Sequence, residues 1–246
     1  MHIEKDALRL RIAALTVFGI AMGFLEAAVV VYLRDLFYPQ GFAFPLKPIS
    51  LHALSTEYLR EIATIVMLFC VSIFGGRNAY ERFSIFLYSF GIWDIFYYLW
   101  LKVLLDWPPS LFTYDILFLI PVVWVAPVLA PVICSITMIG IAGFIFSVTQ
   151  KGYDVVIRAH QRVLLITGVF LMISTFVWDF SGIILRGGFI GTFWTLSADP
   201  AFHKIVAEYV PTSFQWPLFA AGEFLIVISL VSFGKGMYKR FSVKKK

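Results

Sequence analysis

The stretch FGIWDIFYYLWLK, residues 90–102, decides how this chain is read. Twelve of its thirteen positions suit a helix in lipid or at its edge, and the thirteenth, Asp94, is an acid near the centre. An apolar helix that keeps an acid points to a membrane bundle with a polar pocket inside it. The composition agrees. Hydrophobic residues make up 60% of 246 positions, charged residues 14%, and the mean hydropathy is +0.86, which excludes a water-soluble core. No polar stretch long enough to fold alone in water separates the apolar runs, so residues 1–246 read as a single integral membrane domain.

A helix needs about 20 apolar residues to cross roughly 30 Å of hydrocarbon. Six segments qualify, at about 11–35, 58–76, 83–104, 116–148, 163–185 and 214–235. The first is too long for a signal-peptide core and is not followed by a small-residue cleavage site, so it is expected to stay as a helix. The expected fold is therefore all-α, a polytopic six-helix bundle with both termini on one side. Fourteen of the twenty lysines and arginines fall on the side of the termini. They are Lys5, Arg9, Arg11, Arg77, Arg82, Lys151, Arg158, Arg162, Lys235, Lys239, Arg240, Lys244, Lys245 and Lys246. The positive-inside rule then makes both termini cytoplasmic. The net charge of +5 reports topology and a lipid-facing basic tail, with no nucleic-acid partner implied.

The fourth segment is too long for one straight crossing, since about 33 residues of helix would reach roughly 50 Å. Its sequence DILFLIPVVWVAPVLAPVICS (115–135) carries Pro121, Pro127 and Pro131, each of which removes a backbone donor. The expectation is a proline-broken helix that enters, breaks near Trp124 and then crosses. A seventh crossing would put the two basic termini on opposite sides. In the last outer loop Asp199 can cap a short helix with Pro200 in its first position. Phe202, Ile205, Val206 and Tyr209 share one face of it while His203, Lys204 and Glu208 point elsewhere, the pattern of a helix lying on the outer surface. Trp100, Trp107, Trp194 and Trp216 should form an aromatic belt at that level.

Glu26, Asp94, Asp179 and Glu223 fall at the middle or in the outer half of four different spans. A charged acid at mid-membrane costs roughly 2.5–3.5 kcal/mol, so such residues normally face the bundle interior and meet partners. Arg60 and Glu61 sit at the outer entrance of the second span, and Asp115 opens the fourth segment. Arg60 is a natural mate for Glu26 or Asp94, and Tyr98, one turn from Asp94, can hydrogen-bond it. Glu26, Arg60, Glu61, Asp94, Tyr98, Asp115, Asp179 and Glu223 form the candidate polar site. In three spans a Leu-basic pair follows the acid by seven or eight residues, about two helical turns. Arg34, Lys102 and Arg186 are thereby expected to form an outer basic collar, although basic residues at helix ends also serve as simple interfacial anchors. Gly19 and Gly23 at GxxxG spacing should let another helix approach closely, within this bundle.

The blocks FLEAAVVVYLR, REIATIVML, WDIFYYLWLK and DILFLIPVVWVAPVLAPV resemble an uncharacterised family of small polytopic bacterial inner-membrane proteins. The resemblance covers roughly the first half of the chain and part of the fourth span. It implies a bacterial inner-membrane setting and brings neither an activity nor any site residue.

Cys70 and Cys134 both lie in apolar runs, and no histidine sits at mid-membrane, so no disulfide framework, haem or metal site is expected, and no cofactor. Nucleotide-binding and familiar hydrolase motifs do not occur. Three functions remain. Outer-half carboxylates can bind a proton or small cation for transport, with the broken segment as a hinge. A non-catalytic subunit could use the same acids to pair with basic groups within the chain, in a homo-oligomer or in a larger membrane complex. An enzyme could hold a lipid headgroup on the collar and use Glu26 and Asp94 as acid and base. Membrane lipids are partners in every case.

Overall fold

Long apolar runs become long helices here because nothing inside them stops the ladder, and local signals set their ends. In a computed structural model, which describes residues 2–47, 49–150 and 157–244, the main helices are α1 (His2–Phe37), α2 (Leu51–Gly75), α3 (Ala79–Leu105), α4 (Leu129–Gln150), α5 (Ala159–Phe176) and α8 (Trp216–Lys244). Ser50 caps α2 by accepting the Ala53 N–H at 3.2 Å, and Asn78 caps α3 by accepting the Glu81 N–H at 2.9 Å. α3 stops at Asp106, which turns left-handed at φ 51°. Among the described residues, six stretches are long and apolar enough to cross a membrane: Leu8–Phe37, Leu51–Gly75, Ala79–Leu105, Leu129–Thr149, Ala159–Phe176 and Trp216–Lys235. They are the spans of an integral membrane protein. Lys151, Lys245 and Lys246, and the side chains of Lys5, Trp194, Lys239, Arg240 and Lys244, lie outside the described residues.

Helix directions follow from their contacts. α1 and α3 run parallel, because Gly19 faces Ser89 and Ile92 while Gly23 faces Trp93 and Tyr97. A Cβ on Gly23 would sit 2.9 Å from both the Trp93 carbonyl oxygen and the Tyr97 nitrogen, so GxxxG spacing does serve close packing inside the bundle. α4 returns antiparallel to α3, tied by the Ser84 hydroxyl donating to the Ala142 carbonyl at 2.7 Å. α5 and α8 are antiparallel at another close approach, Gly168 against Gly222, and the Ser229 hydroxyl donates to the Gln161 carbonyl at 2.8 Å. α4 and α8 are parallel, with Thr137 beside Glu223 and Phe144 beside Phe233. The segments 38–50, 106–128 and 187–215 therefore share the end of the bundle opposite the two termini.

Two expectations need correction. The fold is all-helical as expected but for one small hairpin, and the fourth segment is not a proline-broken helix. Residues Tyr114–Phe118 (β1) and Trp124–Pro127 (β2) form an antiparallel hairpin that pairs Asp115 with Ala126 and Ile116 with Val125. Branched and aromatic residues fill both strands, Pro121 lies in the turn, and Pro127 ends β2. Pro131 is tolerated in the first turn of α4, where its missing N–H would have had no partner in the helix. The hairpin wedges into the bundle: Phe118 meets Trp93 edge-on and Trp124 stacks on Phe176.

The fifth segment, 163–185, is likewise not one continuous helix. α5 ends at Phe176, Val177 takes a non-helical conformation, and α6 (Trp178–Arg186) begins anew. The Ser174 and Thr175 hydroxyls donate to the Phe170 and Met172 carbonyls at 2.7 Å, competing with the backbone ladder just before the break. A 3-10 helix (Phe189–Ala198) follows, then the short α7 (Pro200–Glu208) that the sequence leads one to expect, capped by Asp199 through the Ala201 N–H at 2.8 Å.

Gly23→Ala should destabilise the purified protein by about 1–3 kcal/mol, since the added methyl meets backbone on α3 rather than a yielding side chain. Gly140→Ala meets open space and should leave the melting temperature unchanged. Equal melting temperatures for the two variants in thermal denaturation would contradict the α1–α3 contact.

Candidate functional site: a charged cavity at the loop end

Arg60 is where the site starts to assemble. On α2 it lies one turn after Glu57, and its Nε donates to Glu57 Oε2 at 2.7 Å. Its Nη1 reaches across to Glu26 on α1, completing an ion pair between two helices. The next residue, Glu61, turns to another face and accepts the Leu119 N–H on both carboxylate oxygens, at 3.1 and 3.0 Å. Leu119 opens the turn of the hairpin, so α2 holds α1 with one residue and the hairpin with its neighbour.

α3 supplies the opposite wall. Asp94 accepts the Ser135 hydroxyl of α4 at 2.7 Å. A turn further on, the Tyr97 and Tyr98 phenols face Asp115 of β1, without reaching the distance and angle of a formed hydrogen bond. Arg34 Nη2 lies 3.4 Å from Asp115 Oδ1, and the guanidinium sits in the corner formed by the perpendicular rings of Trp107, at 3.8 Å, and Phe42, at 4.7 Å. Arg34 is 7% exposed and Asp115 3%, so this pair is buried. Burial pushes the Asp115 carboxyl up to about 6, with the Arg34 charge pulling the other way. Its second oxygen, Oδ2, has no hydrogen-bond partner, and neither has the buried indole N–H of Trp93.

These groups enclose a cavity of about 540 Å³. Its walls come from α1, α2, α3, the hairpin, α6, the 3-10 helix and α7, and they are mostly apolar, with Trp93, Phe118, Phe180 and Phe193 among them. Five acids line it: Glu26, Glu57, Glu61, Asp94 and Asp115. Arg34, Arg60 and Lys47 do so as well, together with the imidazole of His203. Arg60 is shared by two acids and Arg34 is taken by Asp115, while the Lys47 ammonium lies over the Tyr38 ring at 5.3 Å. The partners found for Glu61 and Asp94 are neutral hydrogen-bond donors, a backbone N–H and a hydroxyl. Among the described residues, no group of three or more His, Cys, Asp or Glu side chains is placed to hold a metal ion.

Of the residues singled out in the sequence, Glu26, Arg60, Glu61, Asp94, Tyr98 and Asp115 line this one cavity. Glu223 and Asp179 do not. Glu223 accepts the Thr137 hydroxyl at 3.1 Å between α8 and α4, and Asp179 accepts the Tyr209 phenol at 2.5 Å. Tyr98 lies against Asp115 of the hairpin, which the sequence did not reveal, while Asp94 takes Ser135 as its hydrogen-bond partner. The collar is also corrected. Arg34 is drawn inward by Asp115 and its aromatic partners, Lys102 pairs with exposed Asp106 at 2.6 Å, and Arg186 folds back onto the Gly182 carbonyl at 3.2 Å. Only Arg34 of the three reaches the cavity.

Sequence reasoning missed Glu57, whose spacing three residues before Arg60 was a usable signal, and Tyr97. Lys47 and His203 come from loop and surface segments, and no pattern in the chain marks them. His203 lines the cavity beside Phe202 and Val206, although the helical spacing had placed it away from that face.

The raised affinity of Asp115 for its proton has a sign. Between the ordinary aspartate value of 3.8 and about 6 the folded state holds more proton than the unfolded chain, so stability is greatest below that window and falls as pH rises through it. Asp115→Asn removes this contribution. Melting temperatures across that window should decline more steeply for the natural protein than for the variant, and equal slopes would contradict the assignment.

No family model, curated protein or solved structure matches the chain.

Proposed function

We propose that this is a transport protein of a bacterial inner membrane, with cytoplasmic termini, whose cavity binds solute from the outer side and exchanges protons as it does so. The single observation that carries this reading is the imbalance of charge within one cavity, five acids against Arg34, Arg60, Lys47 and the titratable His203, with a backbone N–H and a hydroxyl as the hydrogen-bond donors to Glu61 and Asp94. A surplus of carboxylate in a low-dielectric site is neutralised either by protons or by a bound cation, and the two compete. Intramembrane carboxylates facing a cavity commonly serve such proton or ion pathways.

The basic residues on the side of the termini support a cavity that opens outward. The hairpin is the element poised to respond. Its turn is tied to α2 through the Glu61 carboxylate, so a change of charge on Glu61 changes the strength of the Leu119 tie. The lipid-enzyme alternative depends on a ring of cations around the mouth, and Lys102 and Arg186 are engaged elsewhere.

The test uses purified protein in liposomes with a trapped pH-sensitive dye and an imposed proton gradient, with cationic, neutral and anionic solutes added in turn. The natural protein should couple proton movement to at least one solute class. Asp94→Asn, which can keep the Ser135 hydrogen bond, should cut that movement at least tenfold while the melting temperature holds. Proton impermeability with every class, together with no solute uptake, would overturn the reading.

A further inference from the structure

Resting on the transport reading, we infer that the cavity's substrate is an organic cation, an ammonium or similar centre on an apolar body, rather than a bare ion. The inference starts from how the acids are spread. Glu26 and Glu57 share Arg60 on one wall, Glu61 sits beside them against the hairpin turn, and Asp94 and Asp115 occupy the α3 and β1 side. They do not converge into a cage of oxygen ligands, and no metal-holding group occurs among the described residues. A small bare cation gains its binding from several oxygens at short range, which this arrangement does not offer. A ligand extended enough to touch more than one wall can meet Glu61 or Asp94 with its charge while the rest of it lies on apolar surface.

Size and lining agree. About 540 Å³ lies within the range of pockets that take drug-sized ligands. The walls present aromatic faces, including Trp93, Tyr97 and Phe118, to which a weakly hydrated organic cation is attracted through the ring quadrupole as well as by burial of its apolar part. The site already shows this chemistry once within the protein. The Arg34 guanidinium packs in the corner of two perpendicular aromatic rings beside a buried carboxylate. Asp115 is itself taken by Arg34, which leaves Glu61 and Asp94 as the carboxylates that can meet a ligand's charge.

An anionic ligand would add to the acid surplus, and a neutral one would leave it uncompensated. When a monocation binds beside a protonated carboxyl, the acid's O–H proton leaves to solvent and the carboxylate pairs with the ligand's charge. Binding therefore releases protons without any other reactant.

The experiment is isothermal calorimetry on the full chain in detergent with three water-soluble probes, benzyltrimethylammonium, benzylsulfonate and benzyl alcohol. Repeating the titrations in two buffers of different ionisation enthalpy counts the protons released. The expected result is saturable binding of the cation to the natural protein, at least tenfold tighter than either other probe, with net proton release. Glu61→Gln and Asp94→Asn, each of which preserves an acceptor for its present donor, should each weaken the cation at least tenfold. Equal affinity for the three probes, preference for the anion, or indifference to both substitutions would overturn the inference. The comparison among probes needs no variant, so it holds even if a substitution fails to fold. Cation preference with no solute-coupled proton movement in liposomes would support this inference and sink transport. Coupled movement without cation preference would do the reverse.

Discussion

The ion pair between Arg60 and Glu26 is the interaction on which the rest of the arrangement depends. α2 packs along α3, and its reach to α1 is made through that guanidinium, which simultaneously holds Glu57 one turn away. In water such a pair contributes little, but within an apolar bundle each ion left alone would be far costlier than the pair. The clamp joins α1 and α2 at the cavity wall, beside the apolar cluster of Met22, Leu68 and Trp93. It also leaves its own negative excess, since one cation serves two acids.

The same logic recurs on each wall. Asp94 ties α3 to α4 through Ser135, Glu61 ties α2 to the hairpin through Leu119, and Asp115 ties β1 to α1 through Arg34. Each of these three contacts joins two elements that follow different turns of the chain, whereas the Arg60–Glu57 contact lies within α2. Structural pairing and ligand chemistry are thus carried by the same side chains. A change of charge on any of these carboxylates therefore acts directly on the contacts that hold the walls together. The close glycine contacts, Gly23 on α3 and Gly168 on Gly222, hold the helix pairs that flank these walls tightly together.

Much of the fold was legible because the bilayer demands long apolar runs, and six of them stand out from the chain. The hairpin was not. A run such as Ile116 to Val125, interrupted by Pro121, has no periodicity that separates a buried strand from a buried helix, and its length as part of a longer apolar stretch favoured the wrong choice. The break at Val177 left no signal in hydropathy, since serine and threonine hydroxyls bonding to the preceding turn cause it. For the site, residue type was informative and rotation was not. Glu26 and Asp94 face the same space, whereas Glu223 turns to Thr137, and nothing in the spacing of α8 distinguishes those outcomes. The collar failed for a similar reason. A basic residue at a helix end can snorkel or turn inward, and Arg34 turns inward only because Asp115 and two aromatic rings, all distant in sequence, are there to receive it.

The central claim is that charge within the cavity holds α1 and α2 in place while remaining unbalanced, and unfolding stability after removal of the shared cation tests it most directly. Arg60→Met should destabilise the protein by about 3–5 kcal/mol near neutral pH, because Glu26 and Glu57 are left buried without a counter-charge. Adding Glu26→Gln and Glu57→Gln to Arg60→Met should recover most of that loss. A protein indifferent to Arg60→Met, or one in which neutralising both acids brings no recovery, would contradict the account.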